Sequence, residues 1–167
     1  DRFKNAQLSV SLILPADKEL SPLTTLLFSV LRRGTEQYPT IKDLNYVLDM
    51  MYGASISYRN TFFGDCQVIG FVLETLGKRY LPDSETEDPL KKGLGVIEQM
   101  MFHPLLDENG LLRSDEVQSE IDNTCDDIRA QTNDTRSYAR IRLRECMFEG
   151  QPYGASLVGK VEQVQGF

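Results

Sequence analysis

The chain has 167 residues, 41% hydrophobic and 26% charged, which suits one globular domain with room for a substantial core. Its net charge of −7, from 25 acidic against 18 basic residues, argues against a nucleic-acid partner, because the only basic cluster is the short Arg136–Arg144 run. No apolar run reaches membrane-spanning length and no leading segment has the layout of a signal peptide, so no membrane partner is expected.

Lys4–Leu14 alternates Leu8, Val10, Leu12 and Leu14 against Ser9, Ser11 and Ile13, which predicts a strand with one buried face. After the turn at Pro15, Leu20–Gly34 carries helix signals. Ser21 is placed to cap, Pro22 to fill the first helical position and Gly34 to end the helix in a left-handed conformation. Leu23, Leu26, Leu27, Phe28, Val30 and Leu31 leave little of its circumference polar, so it is expected to be buried on nearly all sides. Thr40 then caps a helix over Ile41–Tyr52, stopped by Gly53.

Ala54–Thr61 and Cys66–Thr75 read as a hairpin turned by Phe62-Phe63-Gly64-Asp65, and the second strand, apolar on both faces, belongs inside the sheet. Gly77–Pro89 reads as a loop, Leu90–Phe102 as a helix despite Gly93 and Gly95, and His103–Leu112 as a connection. Ser114–Thr132 is a long acidic helix with the narrow apolar stripe Val117, Ile121, Cys125 and Ile128. A further helix opens near Asp134, Gly150–Gly159 is a glycine-rich turn, and Lys160–Gly166 starts one more helix. This order predicts an α+β fold, a mostly antiparallel sheet with helices packed on one face. Residues 1–167 are expected to form a single domain at the N-terminal end of a longer protein.

Several of these segments resemble the pitrilysin, insulinase and mitochondrial processing peptidase family of zinc peptidases. The likeness rests on Leu14-Pro15, Arg33-Gly34-Thr35, Tyr38-Pro39-Thr40, Met51-Tyr52-Gly53-Ala54, Glu116–Glu120, Tyr153-Gly154 and Gly159-Lys160-Val161-Glu162. Arg129–Ala139 and Glu149–Gly154 are similar to a bacterial subgroup of non-catalytic members. The resemblance implies a half-domain of a peptidase whose active copy carries H-x-x-E-H on the opening helix and a third ligand, a Glu, on a later one. Histidines at i and i+4 share a helical face and chelate zinc together, and the Glu serves as general base on zinc-bound water.

Laid on that motif by Gly34-Thr35, the positions here are Thr25, Leu26, Leu27, Phe28 and Ser29. Thr25 and Ser29 stand at the histidine positions and Phe28 at the base, while Glu120 falls at the third ligand. His103 is the only histidine in the chain, so two imidazoles cannot meet, and neither a metal nor another cofactor is expected. His103 reads as a loop residue and Glu120 as a solvated acid. Cys125 and Cys146 read as packed residues, and Arg140, Arg142 and Arg144 as ion-pair partners of the acidic helix. Three widely spaced cysteines without a C-x-x-C pair suggest reduced thiols and a cytoplasmic protein.

The expected function is an inactive peptidase-like subunit that pairs with an active homologous metallopeptidase subunit and helps enclose peptides, held along a sheet edge. The alternatives are a fragment of an active zinc metallopeptidase whose motif lies elsewhere, and a structural dimerisation module.

Overall fold

In the computed structural model, which describes residues 3–82 and 86–167, the alternating segments form three strands. They are β1 (Asn5–Pro15), β2 (Ser55–Phe63) and β3 (Cys66–Leu76), in one antiparallel sheet of order β1-β3-β2. The central place falls to β3, as its two apolar faces require: Ile69, Phe71 and Leu73 are fully buried on one side and Val72 is buried on the other. Along β1 the alternation is weaker than expected, because Leu8, Val10 and Leu14 are half-buried but Leu12 is exposed. The hairpin turn is also tighter. Phe62 and Phe63 stay in β2, and Gly64, at φ 55°, makes the turn with Asp65.

The helices are α1 (Leu20–Leu31), α2 (Ile41–Met50), α3 (Pro89–Phe102), α4 (Ser114–Ala130), α5 (Thr135–Met147) and α6 (Val161–Val164). Short 3-10 turns cover Lys78–Tyr80, Gln131–Asn133 and Pro152–Gly154. Within the expected loop Gly77–Pro89, residues 83–85 lie outside the described residues.

Both ends of α1 differ from their sequence reading. The helix begins at Leu20, and the cap is Asp17, whose carboxylate accepts the N–H groups of Glu19 and Leu20 at 2.8 Å each. Ser21 sits inside the first turn, where its hydroxyl accepts the Asp17 N–H at 3.2 Å. Both residue types cap well, but only Asp17 adds a charge at the positive end of the helix. The N–H groups of Leu20 and then Glu19 hold the Asp17 carboxyl below its ordinary value.

At the other end, Gly34 is not left-handed. Glycine is needed there for space, since a Cβ would lie 2.6 Å from the Pro39 carbonyl oxygen. Nor is α1 buried all round. Leu26 and Phe28 are buried, but Leu20, Leu23 and Leu27, at 42%, 44% and 39% exposure, line one open face at i, i+3 and i+7. Composition shows that a helix is apolar, not which of its faces finds a partner.

Two compact units divide the chain, and each strand contributes residues to both. One comprises Asp1–Ser11, Leu31–Arg59 and Gly70–Leu112. Its buried side chains include Leu44 and Leu48 of α2, Phe71 and Leu73 of β3, and Val96, Ile97 and Met100 of α3. Thr40 and Asp43 form a reciprocal capping box at the start of α2. Gly93 explains itself, because the Leu73 side chain occupies the space that its Cβ would take.

The other unit comprises Leu12–Val30, Asn60–Ile69 and Arg113–Phe167. Here the expected α4 stripe packs as read: Ile121 and Cys125 cluster with Leu26 and Val164, and Val117, Ile128 and Val161 pack against them. By contrast α5 has no fully buried residue, and Cys146 is exposed rather than packed.

Phe71→Ala empties a fully buried site and is expected to cost about 3–5 kcal/mol, measured by urea unfolding. Asp17→Ala is expected to lower the thermal midpoint at neutral pH. Because the folded-state value of Asp17 is depressed, its contribution is present above the ordinary carboxylate range, about pH 4, and is lost as pH falls through the folded value. Midpoints of wild type and variant should therefore converge in acid.

Candidate functional site

The polar positions of α1 face the hairpin end of its own unit. Thr25, 4% exposed, lies one helical turn after Ser21 and donates its hydroxyl proton towards the Ser21 carbonyl at 2.8 Å and the Leu157 carbonyl at 2.6 Å. A hydroxyl has one proton, so these carbonyls share it. The same oxygen accepts from the Asn60 side-chain amide at 2.6 Å.

Gln67, fully buried, completes the set. Its amide donates to the Asn60 side-chain oxygen at 3.0 Å and to the Ser21 carbonyl at 3.3 Å, and its own oxygen accepts from the Thr24 hydroxyl at 3.1 Å. Both Gln67 amide protons and its carbonyl are thus used. Asn60 and Gln67 stand on the inward faces of β2 and β3 beside apolar neighbours, with Phe62 and Ile69 buried two residues away in sequence. Sequence reasoning passed over both. The available signal was their parity, since an amide in step with Ile69, Phe71 and Leu73 must point inward.

The remaining sequence candidates do not converge into a reactive site. Phe28 is 3% exposed and is packed as core. Ser29, half-buried, donates back to the Thr25 carbonyl at 3.3 Å. Glu120, half-buried on α4, accepts from the Asn123 side-chain amide at 3.3 Å. His103 caps the C-terminal end of α3 in the other unit, with its Nδ1 3.9 Å from the carboxylate of Glu36.

The arginines of α5 do not bond to α4 in the way the sequence suggested. Arg142 pairs with Glu145 in its own helix, and Arg140 donates to Ser137 at 3.1 Å. Arg144 donates to the Ala155 carbonyl at 3.3 Å and lies over the Phe62 ring. The acids of α4 find local partners instead: Asp115 takes Arg113 and Asp126 takes Arg129. The Arg113 guanidinium holds the Asp115 carboxyl below its ordinary value.

A zinc ion does not fit these residues. The Thr25 oxygen is already engaged by an amide and two carbonyls, Phe28 offers no donor atom, and the chain's single histidine lies elsewhere. Among the described residues, no three His, Cys, Asp or Glu side chains are grouped as a metal site requires. Also among the described residues, no helix is long and apolar enough to cross a membrane.

No family model matches the sequence. It is similar to a Bacillus subtilis (strain 168) protein named "Probable inactive metalloprotease YmfF", with 32% identity over 165 residues, covering 98% of this chain and 38% of that protein. The chain therefore spans well under half the length of the curated relative it matches. Its fold is similar to that of a conserved protein from Enterococcus faecalis V583, with a TM-score of 0.83 and 21% identity over 99% of this chain and 38% of the other. It is also similar to a peptidase M16 inactive domain from Pseudomonas fluorescens, with a TM-score of 0.63 and 14% identity over 96% of this chain and 35% of the other. The chain thus has the fold of a peptidase M16 inactive domain and is similar in sequence to a protein named as a probable inactive metalloprotease, and with a single histidine it cannot itself carry H-x-x-E-H.

Proposed function

We propose that this domain is a non-catalytic, peptidase-like part of a longer protein that pairs with an active homologous subunit and helps enclose peptides. The observation that carries the reading is the state of α1. In the proposed correspondence Thr25 and Ser29 replace the two histidines, Phe28 replaces the general base, and Glu120 is left at the third-ligand position. Thr25 and Phe28 are buried, and the Thr25 hydroxyl is engaged by two backbone carbonyls and the Asn60 amide. Hydrolysis by zinc-bound water has no starting point there.

Pairing is supported by the open face of α1. Leu20, Leu23 and Leu27 form an apolar ridge on a helix whose other side is packed, and such ridges commonly mark interaction surfaces. Peptide capture is supported by the sheet. Among the described residues β3 is flanked on both sides, which leaves the outer edges of β1 and β2 as strand-addition sites.

The purified chain is expected to carry no stoichiometric zinc by elemental analysis and to cleave no peptide. Chelator-sensitive cleavage by the chain alone would overturn the reading. Co-expressed with a homologue carrying an intact H-x-x-E-H, it should co-purify as a pair. Leu23→Glu with Leu27→Glu, both at exposed positions, should weaken that pair by about tenfold or more in a binding titration. Undiminished affinity would place the interface elsewhere.

A further inference from the structure

We propose that Thr25, Asn60 and Gln67 act as one metal-free polar lock, which ties the first turns of α1 to the hairpin and to the Leu157 turn in place of a metal centre. That the lock stands in place of a metal centre rests on the proposed correspondence of α1 with a zinc-binding helix; the lock itself rests on geometry alone. Three chain segments far apart in sequence meet at the Thr25 hydroxyl: Asn60 is 35 residues away and Leu157 is 132. The Ser21 carbonyl is a second meeting point, taking the Thr24 and Thr25 hydroxyls and the Gln67 amide at 2.9, 2.8 and 3.3 Å.

A buried polar set costs free energy unless every member is satisfied, and removing one member strands the others. Here the partners interlock. Without the Thr25 hydroxyl, one Asn60 N–H and the Leu157 carbonyl lose their partner. Without the Asn60 side chain, Thr25 loses a donor and Gln67 loses an acceptor. Such a set is specific about geometry in a way that apolar packing is not. Sliding α1 by one residue along the hairpin would break the bonds that cross between them, from Asn60 to Thr25, Gln67 to Ser21 and Thr24 to Gln67, whereas leucines can repack. The lock thus fixes where α1 sits on the hairpin without any bound ion.

The test is a double-mutant cycle on the whole chain with the near-isosteric variants Thr25→Val and Asn60→Leu. Each alone is expected to lower the thermal midpoint by about 3–8 °C. The double variant should fall clearly short of the sum, because the second change removes a group that the first had stranded. Amide exchange in the first two turns of α1 should quicken at least about tenfold in Thr25→Val while α3 amides stay unchanged. Additive midpoint losses, or exchange that quickens uniformly across the chain, would overturn the lock. If either variant fails to fold, Gln67→Met paired with Asn60→Ala runs the same cycle on the direct Asn60–Gln67 hydrogen bond. Zinc or a chelator should leave the wild-type midpoint unmoved. A zinc-dependent rise would overturn the metal-free assignment and the non-catalytic reading together, whereas additivity would overturn the lock alone.

Discussion

The fold depends on where the polar atoms of α1 go. A helix laid on the inner face of a hairpin normally presents only apolar side chains, yet this one sends Thr24 and Thr25 inward and the strands answer with Asn60 and Gln67. Buried donors and acceptors in that position must be matched atom for atom. The apolar neighbours Leu26, Phe28 and Ile69 then pack around a geometry that the hydrogen bonds have already fixed. Leu26 passes this order on to α4 and α6 through its cluster with Ile121, Cys125 and Val164. Helix α6 is only four residues long and cannot stand by itself, so its place depends on burying Val164 in that cluster.

What could be read from sequence follows from how local the cause is. Period-2 patterns placed all three strands, and the double-faced apolarity of Ile69–Leu73 placed β3 in the centre, because burial on both faces leaves no other position. The Thr40 cap and the Val117–Ile128 stripe were legible for the same reason, each being decided within one helix. The failures were decisions made by distant segments. Nothing near Leu20, Leu23 and Leu27 says that their face lacks a partner. The need for glycine at position 34 comes from the Pro39 carbonyl folding back on it. The arginines of α5 had short-range partners in Glu145 and Ser137 and the Ala155 carbonyl within reach, and these outcompeted the acids of another helix.

The candidate site was legible in a particular sense. A single histidine in the chain rules out a two-imidazole centre whatever the fold, and this needs no coordinates. The polar set around Thr25 was not legible, because it forms only when Asn60 and Gln67 meet α1, 35 and more positions away. Absence of a motif is a one-dimensional fact, and its replacement is a three-dimensional one.

The segments that carry the family likeness separate scaffold from chemistry. Arg33-Gly34-Thr35 is a backbone device. Gly34 allows the close approach of Pro39, and fully buried Thr35 binds Tyr38 twice: its N–H donates to the Tyr38 carbonyl and its hydroxyl accepts the Tyr38 N–H, both at 2.9 Å, which closes the bend. Met51-Tyr52-Gly53-Ala54 is another, with Tyr52 and Gly53 both left-handed at φ 60° and 72° as α2 turns back into β2. Gly159, at φ 78°, opens the turn into α6. None of these needs a metal, a nucleophile or a base to be worth keeping; each is required for the chain to make its corner. Helix α1 lies between such corners, and its side chains are free to change so long as the buried surface stays filled and the buried polar atoms stay paired. Thr25, Phe28 and the two strand amides meet both conditions, which is how this fold holds together around a helix that carries no histidine.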